Sequence, residues 1–207
     1  MKAEILKLLR EADGYVSGQQ LCEKFGVSRT AVWKVIRQLQ EEGYQVEAVR
    51  NKGYHIVDSP DVMTKEELDS LMDTQWAGRN IVYYDSVDST NLRIKQMGNP
   101  DVKIKWPNDI IINGKKLVGI LTEMSTQIDY INHVTIGVGI NVNLTEFPEE
   151  IRETATSLRL ECGHVVKRAP LIAAVMKRFE QNYTVFLEHG DLSGLKERYS
   201  ELLVNKD

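Results

Sequence analysis

The 207-residue sequence predicts an α+β fold in two parts, and three observations predict it. Apolar residues recur at helical spacing in three short stretches before Gly43. Two short strands then flank a basic turn. Beyond a polar linker, apolar runs bounded by turn residues come first and one long amphipathic stretch comes last, the order expected of helices packed on a sheet.

In the first stretch Ile5, Leu8, Leu9 and Ala12 share one face, which predicts a helix ending near Gly14. Ser17 and Gln20 have the spacing of a capping box and open a helix carrying Leu21, Cys22 and Phe25 that stops at Gly26. Ser28 caps a third helix, Arg29 to Glu42, with Ala31, Val35 and Leu39 on one face and Gly43 as its C-terminal stop. Helix, short Gly-containing turn, helix is the helix-turn-helix pattern. Tyr44 to Val49 alternates as a half-buried strand does, Arg50-Asn51-Lys52-Gly53 makes a basic turn, and Tyr54 to Val57 returns.

That hairpin is a wing, so residues 1–58 read as a winged helix-turn-helix DNA-binding domain. In such a domain the N-terminal end of the third helix enters the major groove, which makes Arg29, Thr30, Lys34 and Arg37 the candidate contacts. Arg50 and Lys52 on the wing are placed to touch phosphates or the minor groove. Trp33 is expected to be partly buried against the hairpin, and His55 to be a surface strand residue. The competing reading is a winged helix used for protein contacts, its cations merely solvated.

Asp58-Ser59-Pro60-Asp61 is a polar linker, and a second domain is expected over residues 64–207. Thr64 and Glu67 have capping-box spacing and open a helix through Leu71. Ile81 to Tyr84 predicts a strand, Leu92 to Met97 a short helix, and Val102 to Trp106 another strand. Ile110 to Ile112 and Leu117 to Leu121 flank Asn113-Gly114, a strong hairpin signal. Val134 to Val142 is so uniformly apolar that a strand buried on both faces is expected. Pro170 to Leu187 predicts a long helix with Leu171, Ala174, Val175, Arg178, Phe179, Asn182 and Phe186 along one stripe.

A hydrophobic fraction of 42% and a charged fraction of 27% are those of an ordinary globular protein. The net charge of −4 hides an asymmetry: residues 1–57 hold nine Lys/Arg against seven Asp/Glu, so the acidic excess lies in the second part. A mildly basic end on an acidic chain suits a DNA-binding module. No apolar run reaches the roughly 18–20 residues of a membrane helix and Met1 to Ala12 is not a signal peptide, so a cytoplasmic protein without a membrane partner is expected. Cys22 and Cys162 lie far apart without metal-type spacing and are expected to be reduced core residues.

Three clusters in the second part carry candidate chemistry: Asp88-Ser89-Thr90-Asn91; Lys105-Trp106-Pro107-Asn108-Asp109 with Lys116-Leu117-Val118-Gly119-Ile120-Leu121; and Gly137-Val138-Gly139-Ile140-Asn141-Val142-Asn143. Read singly, each also suits ordinary structure: an Asx or Ser/Thr turn, a strand-ending turn, and close sheet packing at glycine. Taken in order, with a winged helix in front, they resemble the family of bifunctional biotin–protein ligases that double as biotin operon repressors. The resemblance covers essentially the whole chain. It implies a mixed-sheet catalytic domain, operator DNA as a partner, biotin and ATP as substrates with Mg²⁺, and biotinyl-5'-adenylate as the activated species. It further implies transfer of biotin to one lysine of the carboxyl carrier domain of a carboxylase, and a homodimer formed on ligand binding.

Residue by residue, the resemblance makes Ser89, Thr90, Asn91 and Lys105 biotin-binding. Small hydroxyl and amide groups suit a neutral ureido ring rich in donors and acceptors. It makes Lys105 catalytic, opposing the negative charge that develops on phosphate and carboxylate oxygens. It associates Asn108, Asp109, Lys116 and Asn141 with the nucleotide, and Asp109 with Mg²⁺.

The sequence departs from the family's pattern in one respect that matters for catalysis. Between Asn91 and Lys105 the family carries a long insertion with a Gly/Arg-rich loop, whose backbone amides and arginines close over the phosphate. Here only Leu92 to Ile104 intervene, and Met97 to Asp101 reads as a junction. Gly78-Arg79 precedes the first strand and is not that loop. The family's small C-terminal domain is expected to begin near Asp207. The catalytic domain is therefore expected to be incomplete and slow. The second reading is a DNA-binding, biotin-sensing regulator that has lost ligase activity. A third is a winged-helix regulator of an unrelated ligand.

Overall fold

A computed structural model describes residues 1–84, 108–127 and 130–203. The chain divides into two compact units, Met1–Tyr83 together with Lys167–Asp207, and Tyr84–Val166.

The first unit opens with helices α1 (Lys2–Glu11), α2 (Gly18–Phe25) and α3 (Arg29–Glu41). The capping box at α2 is closed in both directions: the Ser17 hydroxyl accepts from the Gln20 N–H, and the Gln20 side chain accepts from the Ser17 N–H. Ser28 caps α3 by accepting from the Ala31 N–H. Each cap satisfies donors that a helix start otherwise leaves orphaned. The three helices bury Ile5, Leu6, Leu9, Leu21, Val32, Val35, Ile36 and Leu39 in one core. The expected faces are thus shifted slightly: Leu6 is the fully buried residue where Leu8 only packs at the edge, and Val32 and Ile36 are buried where Ala31 was expected.

Strands β1 (Gln45–Val49) and β2 (Gly53–Asp58) pair antiparallel across the Arg50–Lys52 turn, with Asn51 at positive φ. Val16, between α1 and α2, adds a bridge to Tyr54 through hydrogen bonds of 2.8 and 2.9 Å. That close approach explains Gly53: a Cβ there would sit 2.0 Å from the Val16 carbonyl oxygen.

Helix α4 (Lys65–Leu71) begins at Thr64, whose hydroxyl accepts from the Glu67 N–H. The reciprocal half of the expected box is taken elsewhere. The Glu67 carboxylate is buried and instead accepts two bonds from Arg10 of α1 (2.7 and 2.8 Å) and one from the Tyr44 hydroxyl (2.6 Å). Arg10 also donates to Ser59 and Ser70. A buried carboxylate demands compensation, and a charged guanidinium nitrogen (Nη2) bridging both of its oxygens outcompetes a single backbone amide. Burial, reinforced by the bond to Glu67, holds the Tyr44 hydroxyl far above the ordinary phenol range, so it stays a donor.

The long helix α6 (Arg168–His189) belongs to this unit and is followed by α7 (Ser193–Leu202). Its stripe differs from the expected one. Ala169 and Ala173 are buried, and Ala174, Arg178, Phe179 and Asn182 are exposed. Polar contacts fix the rotation: Lys167 binds Asp58, Arg168 binds Asp61 at 2.9 Å, Lys177 binds Asp73 at 2.6 Å, and Glu180 accepts from the N–H groups of Gln75, Trp76 and Ala77. The expected strand Ile81 to Tyr84 is irregular chain.

The second unit holds β3 (Asp109–Ile112), β4 (Lys115–Gln127) and β5 (Tyr130–Ile140) in the order β3-β4-β5, antiparallel throughout, with one isolated parallel bridge from Lys116 to Ala155. Asn113 and Gly114 both take positive φ, as a two-residue type I′ hairpin requires. A bulge between Ile110 and Ile111 shifts the β3–β4 register. The short helix α5 (Leu158–Cys162) is capped by Ser157. The strand expected to be buried on both faces is not: Val134, Ile136 and Val138 of β5 are about half exposed. The alternation of β5 marks a face able to be buried, and among the described residues these side chains stay partly open to solvent. Cys162, expected in a core, is exposed, while Cys22 is half-buried. The calls on Leu92–Met97 and Val102–Trp106 lie outside the described residues.

Candidate functional site

The first site is the face made by α2, α3 and the wing. A cleft of ≈ 380 Å³ runs between the N-terminus of α2 at Ser17–Gln19, the start of α3 at Arg29, and wing residues Arg50 to Lys52. Three of the six expected DNA contacts, Arg29, Arg50 and Lys52, therefore line one groove although 20 residues of chain separate the first two. Thr30, Lys34 and Arg37 are exposed along the outer side of α3, opposite its buried stripe of Val32, Val35, Ile36 and Leu39. The helical period makes this separation: four apolar residues commit one side to the core, and polar residues at the intervening positions are left outward.

Two aromatic rings on this face were not found by sequence reasoning. Trp33 was expected against the hairpin but is 51% exposed, and the Arg37 guanidinium lies 5.4 Å from its ring centroid. On its other side Arg37 faces Glu41 at 3.8 Å. Tyr15 carries Lys52 with the ammonium 5.6 Å from its ring centroid. The Tyr15 hydroxyl donates to Glu47 at 2.6 Å, and that bond raises the phenol's pKa. His55 is half-buried, its Nδ1 3.1 Å from the Gly14 carbonyl and its ring 5.4 Å from Tyr15. The Trp33–Arg37 contact was readable as an i,i+4 pair. Tyr15 and Lys52 meet only because Val16 bridges to the wing, and no local pattern announces that.

The second candidate site is only partly within the described residues. Ser89, Thr90, Asn91 and Lys105 lie outside them. Asp109 and Lys116 lie on the paired strands β3 and β4, while Asn108 immediately precedes β3 and Asn141 immediately follows β5. The Asn108 carbonyl accepts from the Ile120 N–H at 2.9 Å, and the Asn141 N–H donates to Leu117 at 3.0 Å. Asp109 and Lys116 form an ion pair at 2.6 Å, both half-exposed. Gly119, directly across from Asp109, leaves room for it: a Cβ there would come within 3.2 Å of the Lys116 side chain. Asp109 is thus engaged with a cation, and no three His, Cys, Asp or Glu side chains converge among the described residues.

Comparison with known proteins bears on both sites. A family model described as an HTH domain matches residues 2–55. The bifunctional ligase/repressor BirA of Bacillus subtilis is 31% identical over an alignment covering 92% of this chain and 80% of that protein. The Escherichia coli BirA is 20% identical over 90% of this chain. Biotin–protein ligase 2 of Arabidopsis thaliana is 36% identical over 51% of this chain and 31% of its own length. Among solved structures, the apo biotin protein ligase of Aquifex aeolicus is 35% identical over 46% of this chain and 41% of that one, with a TM-score of 0.36. The Bacillus alignment runs over 261 positions, 54 more than the 207 residues available here, so that relative carries segments without a counterpart in this chain. No helix among the described residues is long and apolar enough to cross a membrane. With 31% identity across 92% of its length and 80% of a bifunctional relative's, the chain belongs to the BirA family of biotin–protein ligase/repressors.

Proposed function

We propose that this chain is a biotin-responsive transcriptional repressor and a biotin–protein ligase. The observation that carries the reading is the match to a bifunctional relative over 80% of its length. The winged helix with an outward row of cations supports the first activity. In the second, the biotin carboxylate attacks the α-phosphorus of ATP, pyrophosphate leaves, and a carrier-domain lysine then displaces AMP from biotinyl-5'-adenylate. Ser89, Thr90 and Asn91 would bind the ureido ring, and Lys105 would oppose the charge developing between carboxylate and phosphate. Asn108, Asp109, Lys116 and Asn141 would lie on the nucleotide side. ATP would enter as its magnesium complex. The ligand-loaded chain would act in the cytoplasm as a homodimer on paired half-sites. A regulator without ligase chemistry is less favoured, because the relatives named above are ligases by name.

Biotin-dependent pyrophosphate release and biotin transfer to a carrier-domain lysine test the ligase. The chain lacks a segment its relative has, and a site open to water loses electrostatic stabilisation. Adenylation is therefore expected to be far slower than in the Bacillus relative and to recover when the segment is restored. In the restored chain Lys105→Ala should cost roughly 10²–10³ in rate, the effect of losing one preorganised donor. Full turnover by the 207 residues would show that the missing loop is dispensable. Absence of biotin binding by calorimetry in both chains would remove the biotin reading. For DNA, Arg50→Ala should lower the slope of log affinity against log salt by about one. Unchanged affinity and slope for Lys34→Ala, Arg37→Ala and Arg50→Ala would remove the repressor.

A further inference from the structure

Among the described residues two cations sit over aromatic rings, and both belong to the expected DNA contacts: Arg37 over Trp33 and Lys52 over Tyr15. Both rings are exposed, so neither is held there by the core. Trp33 keeps about half of its surface open to water, so burial alone does not fix where its ring lies. Long cationic side chains are otherwise free to sweep many rotamers, and ordering them on DNA costs entropy.

We propose that Trp33 and Tyr15 are positioning residues for DNA binding, ring platforms that hold Arg37 of the recognition helix and Lys52 of the wing extended before DNA arrives. The inference rests on the DNA-binding reading. Arg37 is confined along the helix between the Trp33 ring and the Glu41 carboxylate 3.8 Å away. Tyr15 is itself anchored, because its hydroxyl donates to Glu47 on β1, so its ring turns a flat face to the wing turn. Guanidinium over indole and ammonium over phenol are the favourable cation–π combinations, and neither consumes the N–H donors that phosphate needs. The two platforms serve the two halves of the grip, one on α3 and one on the wing.

The experiment is a double-mutant cycle on the full chain, with a fluorescein-labelled duplex recovered by in vitro selection from a randomised pool as probe. Arg37→Ala and Lys52→Ala should weaken binding. Trp33→Leu and Tyr15→Leu should each weaken it by about two- to five-fold, the worth of an exposed cation–π pair. Trp33→Phe should retain most of the affinity. In the Arg37→Ala background Trp33→Leu should have no further effect, and likewise Tyr15→Leu in the Lys52→Ala background. Thermal unfolding of the variants should match the parent. Equal losses in both backgrounds, no rescue by phenylalanine, or a loss that tracks a fall in unfolding temperature would overturn the inference while leaving DNA binding intact. Undiminished binding by Arg37→Ala and Lys52→Ala together would overturn the inference while leaving DNA binding intact, whereas failure of the selection to recover any bound duplex would remove the DNA-binding reading and this inference with it.

Discussion

The winged helix and the three-stranded sheet use similar apolar residues to opposite ends. In the first, eleven buried residues from three helices, the wing hairpin and the connecting residues Val16 and Tyr44 close on one another, and each of Ile5, Leu6, Leu21 and Leu39 is fully buried. In the second, β5 carries Val134, Ile136 and Val138 in sequence alternation, yet all three stay about half exposed. Apolar patterning decides which side of an element is able to be buried. Whether it is buried depends on a second layer.

The sharpest way to break this comparison is through the charge network of the first unit. Arg10→Ala strands the Glu67 carboxylate, whose side chain is 2% exposed, without its guanidinium partner. A cost of about 3–5 kcal/mol in urea unfolding is expected. A loss below about 1 kcal/mol would show that the Tyr44 hydroxyl suffices to compensate the charge. Next in size, Leu39→Ala should cost roughly 2–5 kcal/mol, as a filled core site emptied. Val138→Ala, on the open strand, should cost less than about 1 kcal/mol. Equal losses would mean that the sheet face is covered in solution and that the contrast drawn here is false.

Ser17→Ala should cost about 1 kcal/mol, because it opens a closed capping box. The smallest effect concerns pH. Against a desolvation that would raise it, the backbone N–H groups of Trp76, Gln75 and Ala77 hold the Glu180 carboxyl below its ordinary value. Its contribution is therefore fully present above the unfolded-state value and is lost as the pH falls through the lower folded one. Melting curves followed from neutral into acid should show a slightly shallower fall for Glu180→Gln than for the parent. Identical acid profiles would show that the clamp on residues 75–77 adds nothing.

Most of the winged helix was legible in advance because its signals are local. Ser17, Gln20, Ser28, Gly26 and Gly43 punctuate helices within a few residues of where they act, and Asn113-Gly114 fixes its hairpin by the φ angles only such residues take easily. What was misread depends on partners far along the chain. Glu67 has the right spacing to close a box with Thr64 but is drawn 57 residues back to Arg10. Trp33 was expected partly buried against the hairpin and is 51% exposed, its place between Val32 and Lys34 turning it from the buried stripe of the helix. The α6 stripe was rotated because Asp61, Asp73 and the amides of 75–77 select which side of the helix faces them. Of the candidate ligase residues, the motif order was legible, while Ser89, Thr90, Asn91 and Lys105 fall outside the described residues.

By itself, then, the sequence determined the secondary structure of the first 58 residues, the outward cations of α3 and the wing, and the family to which the motifs point. Each is written in spacing: 3.6 residues per helical turn, two per strand repeat, a fixed offset for a cap. The tertiary structure alone decided which carboxylate met which cation, which aromatic ring lay beneath Arg37 and Lys52, and that the apolar strand β5 stands half open. Those outcomes depend on a partner's presence and angle across tens of residues, and neither the hydrophobic effect nor a charge specifies its partner along a one-dimensional chain.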